Sequence, residues 1–289
     1  METNELIKKV RKIEIKTKGI SNQVFAGSYQ SAFKGRGMAF TEVREYQFGD
    51  DIRSIDWNVT ARFNHPYVKI FEEERELTVM LLIDVSGSNS FGTHYMRKEE
   101  MITEIAAVLA FSAIKNNDKV GVIFFSDRIE KFISPKKGTS HILRIIRELI
   151  DFKTDNRGTD ISAALKYLRN IIKKKSITFL ISDMQDKGFE DALSIVSRKH
   201  DVVGIRVFDE LEHNMPAAGL LKLKDAETGK VMWADASSED FRKQLRKWQQ
   251  HHDDYLRNTF RKASVDYTHI ATHQDYVPPM IGLFKRRMQ

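Results

Sequence analysis

From position 77 onward, short apolar runs alternate with stretches in which apolar residues recur every three or four positions. Leu77 to Ile83, Val120 to Phe125, Ile177 to Ile181 and Val202 to Val207 are nearly unbroken apolar runs of strand length, the pattern of parallel strands covered on both faces. Between them, residues 96–115 place Met101, Ile105, Val108, Leu109 and Ser112 at helical spacing, 139–151 repeat Ile142, Ile145, Ile146 and Leu149, and 160–173 repeat Ile161, Ala164, Leu165 and Leu168. The alternation predicts an α/β fold with a mostly parallel sheet flanked by helices. Arg128 to Ile133 predicts a short antiparallel edge strand folded back on the strand before it.

Beyond Phe208 the pattern changes. Gly219 to Lys224 and Lys230 to Ala234 flank Asp225-Ala226-Glu227-Thr228-Gly229, which predicts a β-hairpin inserted around residues 209–237. Helical spacing returns from Ser238 to Lys262, followed by a strand at Val265 to Ala271 and a closing helix from Asp275 to Arg286, which are expected to complete the same sheet. Residues 1–76 differ: a basic amphipathic helix near Glu5 to Lys16 precedes a glycine-rich, polar stretch with little periodicity. The expected organisation is an N-terminal segment, 1–76, packed on an α/β domain, 77–289, with Tyr46, Ile55, Trp57 and Phe71 requiring apolar cover.

Composition narrows the function classes. The chain has 289 residues, no cysteine and five prolines, which excludes disulfide scaffolds, thiolate metal sites and cysteine nucleophiles and suits a reducing compartment. The net charge of +7 comes from 47 basic and 40 acidic residues spread thinly along the chain, so no nucleic-acid-binding stripe is expected. No apolar run approaches the ~20 residues of a membrane span, and the start of the sequence does not resemble a signal peptide. A cytoplasmic protein is the expectation.

The first strand runs into Asp84-Val85-Ser86-Gly87-Ser88. Alternate residues leaving a strand point the same way, so Asp84, Ser86 and Ser88 can present three oxygens at the carboxyl edge of the sheet, where parallel sheets bind ligands. Hydroxyl and carboxylate oxygens suit Mg²⁺ or Mn²⁺; equally, such serines cap helices and such aspartates satisfy turn amides. Two further loops bear on the choice. Arg157-Gly158-Thr159-Asp160 offers a hydroxyl at the start of a helix, and Asp183 ends another strand.

An apolar strand leading into Asp84, Ser86 and Ser88, then Thr159, then Asp183, resembles the von Willebrand factor A fold with its metal-ion-dependent adhesion site. The resemblance implies that the serines and threonine approach a metal while the aspartates act through water. It also implies that an acidic residue of a protein partner completes the shell. Asn89 departs from the apolar residue that commonly follows the last serine. The loops around Asn89 to His94 and Met184 to Gly188 are the expected partner-contacting surfaces.

Upstream, Thr41 to Trp57, Thr60-Ala61-Arg62 and Val68 to Glu76 resemble the signature of the bacterial domain-of-unknown-function family fifty-eight. That resemblance implies association with a MoxR-type AAA+ ATPase in assembling or activating other proteins. Read physically, the same stretch interleaves Glu42, Arg44, Asp50, Arg53, Asp56 and Arg62 with Tyr46, Ile55 and Trp57, a set expected to act as a polar clamp tying the segment to the sheet, with a partner-docking surface as the alternative.

Enzyme classes find little support. There is no G-x-x-x-x-G-K-[ST] phosphate loop, and Ser86 lacks the glycines of a nucleophile elbow. His251 and His252, adjacent on a helix, point apart and are expected at the surface. A non-enzymatic interaction module is therefore the expectation, with a Mg²⁺-dependent phosphohydrolase as the alternative.

Overall fold

The computed structural model describes residues 3–21, 39–72, 77–90, 96–152, 158–225 and 229–287. Along the chain, α1 (Thr3–Ile20) is followed by β1 (Ala39–Glu45), α2 (Trp57–Phe63) and β2 (Tyr67–Glu72), then β3 (Thr78–Asp84), α3 (Lys98–Lys115), β4 (Lys119–Phe125) and β5 (Ile129–Lys136). There follow α4 (Thr139–Asp151), α5 (Ile161–Ile171), β6 (Ile177–Ser182), α6 (Glu190–Ser197), β7 (Asp201–Phe208) and α7 (Glu210–His213). The chain continues through β8 (Leu220–Lys224), β9 (Val231–Asp235), α8 (Glu239–Lys262), β10 (Asp266–Ala271) and α9 (Val277–Arg287).

Six strands form one sheet in the order β10-β7-β6-β3-β4-β5. All its neighbours are parallel except β4 and β5, the antiparallel edge that the sequence predicts. The strand after α8 does complete the sheet, pairing with β7 from Asp266–Val203 to Ala271–Phe208. The predicted hairpin forms as β8 and β9. Each central strand is buried on both faces, which is why it reads as an unbroken apolar run. Met80 and Leu82 of β3 join a core with Leu165 and Leu168 of α5, Leu193 of α6, and Leu256 and Phe260 of α8. Alternation sends Leu81 and Ile83 to the opposite face, where α3 packs on β3, β4, β6 and β7.

Helix α3 is buried around its whole circumference, with Lys98 and every residue from Met101 to Ala113 shielded. A helix enclosed in this way needs cover on its outer side, and α1 and α4 pack against it. Thr17 and Ser21 are buried, and the Ser21 and Ser112 hydroxyls lie 3.0 Å apart. At Gly204 of β7 the packing leaves no room for a side chain: a Cβ there would lie 2.5 Å from Phe260 Cε1. No helix among the described residues is long and apolar enough to cross a membrane.

The chain divides into two compact units, one comprising Met1–Ala32 with Thr78–Gln289 and the other Phe33–Leu77. In the second, β1 and β2 pair antiparallel. Arg44 donates through both terminal nitrogens to Asp50, at 2.8 and 2.7 Å, while Asp56 caps α2 by accepting from the Asn58 and Val59 amides. These pairs hold the segment to itself. The expected burial of Trp57 is not met within its own unit, which leaves the side chain 67% exposed.

Candidate metal centre at the carboxyl edge of the sheet

Strand β3 is central in the sheet, so its last residue, Asp84, emerges buried, 2% exposed. The chain then turns through a short 3-10 segment, Gly87–Ser90. Within that turn Asp84 Oδ1 accepts from the Ser86 amide at 2.9 Å, and Oδ2 accepts from the Ser182 hydroxyl at 2.6 Å. Asn89 donates from Nδ2 to the Asp84 carbonyl at 3.0 Å. The Ser86 and Ser88 hydroxyls are 3.0 Å apart. Neighbouring oxygens of an octahedral Mg²⁺ shell, with ligands at about 2.1 Å, are about 3 Å apart; the two serines are spaced as adjacent ligands.

The second carboxylate comes from the neighbouring strand. Asp183, which follows β6, is fully buried; its Oδ1 accepts from the Gln185 amide at 3.2 Å and its Oδ2 from Lys98 Nζ at 2.9 Å. The Ser182 hydroxyl also accepts from the Met184 amide at 2.8 Å, with Met184 in the left-handed region at φ 57°. Arg206 on β7 donates from Nε to the Asp183 carbonyl at 3.3 Å. Each carboxylate is thus held by its own strand end and by neighbouring elements, Asp84 by Ser182 and Asp183 by Lys98 and the Ser88 side chain.

Thr159 lies in the third loop of the same edge. The Asp160 amide donates to the Ser126 carbonyl beyond β4 at 2.8 Å, and the Ile161 amide donates to Asp186 at 2.8 Å, which fixes the loop between β4 and the turn after Asp183. Asp160 itself caps α5, accepting from the Ala163 amide at 2.7 Å.

Burial, with the charge of Asp183 added, pushes the Asp84 carboxyl up to about 7, against the hydrogen bonds from Ser182 and Ser86. Burial acts upward on Asp183 too, but the Lys98 ammonium holds it below the usual carboxylate range. Two shielded carboxylates that raise one another's cost of ionisation form a site that favours a cation. Among the described residues no three His, Asp or Glu side chains gather as metal ligands. What gathers is two carboxylates and two hydroxyls, a hard-oxygen set that fits Mg²⁺ or Mn²⁺ with part of its shell left to water or to a partner.

Of the expected contact positions, Asn89 is 3% exposed and occupied with the Asp84 carbonyl, and Met184 is fully buried. Both therefore brace the site from inside, as a correction to the expected contact role. Gly188 is exposed with φ 83°, while His94 lies outside the described residues. His251 is at the surface, as expected, but His252 is buried, stacked on Trp248 with centroids 5.9 Å apart.

Sequence reasoning missed Lys98, Glu212 and Ser182. Lys98 is 1% exposed, and its ammonium also donates to Glu212 Oε1 of α7 at 2.7 Å. A signal was present: Lys98 shares the helical phase of Met101, Ile102, Ile105 and Leu109.

The sheet order, the single antiparallel edge and the aspartate-serine turn at the end of the central strand define a von Willebrand factor A-like α/β protein. The chain belongs to the family described as protein of unknown function DUF58, matched over residues 42–255. An uncharacterized protein of Mycobacterium tuberculosis is 30% identical over 226 residues, which is 77% of this chain and 71% of that protein. Among solved structures, the conserved hypothetical protein BatB from Bacteroides thetaiotaomicron is similar, at 15% identity and TM-score 0.48, over 73% of this chain and 98% of that one. The SpRpn10 VWA domain is similar at 12% identity and TM-score 0.40, over 73% of this chain and 95% of that one.

Proposed function

We propose that the chain is a metal-dependent protein-interaction module. In this reading Asp84, Ser86, Ser88, Thr159 and Asp183 hold Mg²⁺ or Mn²⁺, and an acidic side chain of a protein partner binds at the same point. The observation that carries the reading is the convergence of two buried carboxylates with two hydroxyls 3.0 Å apart at one sheet edge. A bound ion supplies a positive centre that accepts a partner carboxylate. The chain's own residues do the remainder: neutral serine oxygens leave the ion's charge only partly offset, and the aspartates, fixed by Ser182 and Lys98, orient water.

The partner is a MoxR-type AAA+ ATPase and the setting is the cytoplasm, where the two proteins assemble or activate others. Support for the ATPase comes from the family resemblance of the Glu42 to Arg62 stretch, and support for the compartment from the absence of cysteine in the sequence. Binding is favoured over phosphoester hydrolysis because Lys98, which donates to two carboxylates, offers no lone pair to act as a base, and the Asp84 carboxylate is already engaged by the Ser86 amide and the Ser182 hydroxyl. The test is capture of a MoxR-type ATPase by the wild-type chain with Mg²⁺ and with chelator, beside Ser86→Ala and Thr159→Ala. Equal capture in all four arms removes the metal from the interaction. Asp183-dependent phosphoester turnover would establish the hydrolase instead.

A further inference from the structure

A lysine whose side chain is 1% exposed has given up nearly all its hydration, a penalty met only if partners replace the lost water. Lys98 recovers it from two carboxylates of different origin, Asp183 at 2.9 Å and Glu212 at 2.7 Å. Asp183 belongs to the metal centre. Glu212 belongs to α7, where its other oxygen accepts from the Asp209 amide at 3.2 Å in a capping box. The ammonium is therefore anchored from both sides, with one of its two partners being an expected ligand of the ion.

We propose that Lys98 is a resident cation of the centre which sets how tightly a divalent ion is held. The inference rests on the metal reading above. An ion drawing on Asp183 shares that carboxylate with an ammonium in hydrogen-bond contact with it, and two like charges at such range repel strongly in a shielded site. The carboxylate pair is thus already half neutralised before any ion arrives. The fold does not need the ion to tolerate Asp183, and the ion is held loosely enough to exchange. Glu212 moderates the effect, because its charge offsets part of the ammonium's.

This assignment fixes opposite signs for two substitutions. Lys98→Met removes the competing charge while keeping an unbranched apolar stem, so Mn²⁺ should bind at least tenfold more tightly than to the wild type. The metal-free variant should melt lower and regain its melting temperature on adding Mn²⁺. Glu212→Gln keeps an acceptor for the capping box but leaves the ammonium less compensated, so Mn²⁺ should bind severalfold more weakly. A purely structural role for Lys98 would loosen the site in both variants.

The experiment is Mn²⁺ titration of the full chain by calorimetry, with melting curves, for wild type, Lys98→Met, Glu212→Gln and Asp84→Ala. Equal or weaker binding in Lys98→Met, with wild-type binding abolished by Asp84→Ala, overturns the role of Lys98 and leaves the metal reading standing. Should Lys98→Met not fold, Lys98→Gln, which removes the charge but keeps a hydrogen-bond donor, takes its place: equal or weaker binding there overturns the proposal, as does unchanged or tighter binding in Glu212→Gln. Binding in Lys98→Met that the wild type lacks supports it. Binding in neither, or binding indifferent to Asp84→Ala, removes the metal reading and this inference together.

Discussion

Ser182 Oγ and Asp84 Oδ2 lie 2.6 Å apart although their residues are separated by 98 positions. The contact joins the ends of two adjacent parallel strands, and the same hydroxyl accepts from the Met184 amide. One small side chain thus fixes the first carboxylate and shapes the turn carrying the second. Ser182→Ala leaves a buried amide and a buried carboxylate oxygen each short of a partner. We expect a loss of ~1–3 kcal/mol in urea unfolding and weakened Mn²⁺ binding; a variant with wild-type stability would show that water replaces the hydroxyl freely.

Divalent metal should stabilise the chain, since the three loops converge only when it is folded. Ion at ~100 times its dissociation constant adds ~2.7 kcal/mol. Melting should rise with Mg²⁺ or Mn²⁺, fall back in chelator, and show no response in Asp84→Ala. With the Asp84 carboxyl pushed up to about 7 by burial and the Asp183 charge, protons compete with metal below that value. The Mn²⁺ affinity should therefore decline as pH falls through about 7.

Acid should also act through His200, which is 1% exposed and hydrogen-bonded at Nδ1 to Ser176 Oγ at 2.8 Å. Burial, helped by the Lys199 charge, lowers its pKa to about 4, so the folded state keeps the ring neutral while the unfolded chain takes a proton from about 6.5 downward. The contribution is whole above pH ~6.5 and is lost as pH falls toward 4, up to ~3 kcal/mol. In His200→Asn the fall in stability across that window should be shallower. An identical pH profile would assign the acid sensitivity to other groups.

Two glycine-to-alanine changes should have opposite signs. At Gly204 the new methyl meets the Phe260 ring, itself stacked on Tyr267 with centroids 4.7 Å apart, so the ring has little room to retreat and the cost should be ~1–3 kcal/mol. At Gly282, inside α9, the nearest atom to a Cβ is Arg286 Nη1 at 3.9 Å, and alanine should stabilise by ~0.5–1 kcal/mol. Thermal unfolding of both proteins distinguishes these effects.

Removing residues 1–21 should destabilise the sheet domain although none of them lies in the sheet. The deletion uncovers α3, takes away the Ser21–Ser112 contact, and frees Glu104 from Lys16, its partner at 2.5 Å. We expect a lower melting temperature and aggregation on heating. A truncated chain that melts like the full one would make α1 dispensable.

The sequence showed best what repeats or alternates. Strands β3, β4, β6 and β7 are legible because burial on both faces leaves few polar positions, Thr178 and Arg206 among them, and Asp84, Ser86 and Ser88 are legible because alternation alone aligns them. Strands β1 and β2 went unread, since Arg44 and Lys69 interrupt their apolar positions. Helix α6, eight residues long, is too short to establish a period. Lys98 defeats the usual expectation that lysine is solvated; its partners, 85 and 114 positions away, become visible only once the sheet brings β6 and β7 beside α3. Ser182 reads in sequence as an ordinary strand terminus; its contact with Asp84 follows only from the register of β6 against β3.

The order of the units along the chain has a mechanical consequence. Phe33–Leu77 is spliced into its host, because the chain both enters from and returns to the unit that contains α1 and the sheet. The return joint feeds straight into Thr78, the first residue of β3, whose last residue is Asp84. A pull transmitted through this joint therefore enters the host as tension along β3, the strand that ends in the candidate metal-centre turn, with the hydrogen bonds of β4 and β6 on either side resisting it in shear. Whatever loads that joint has the candidate metal centre at the far end of the loaded strand.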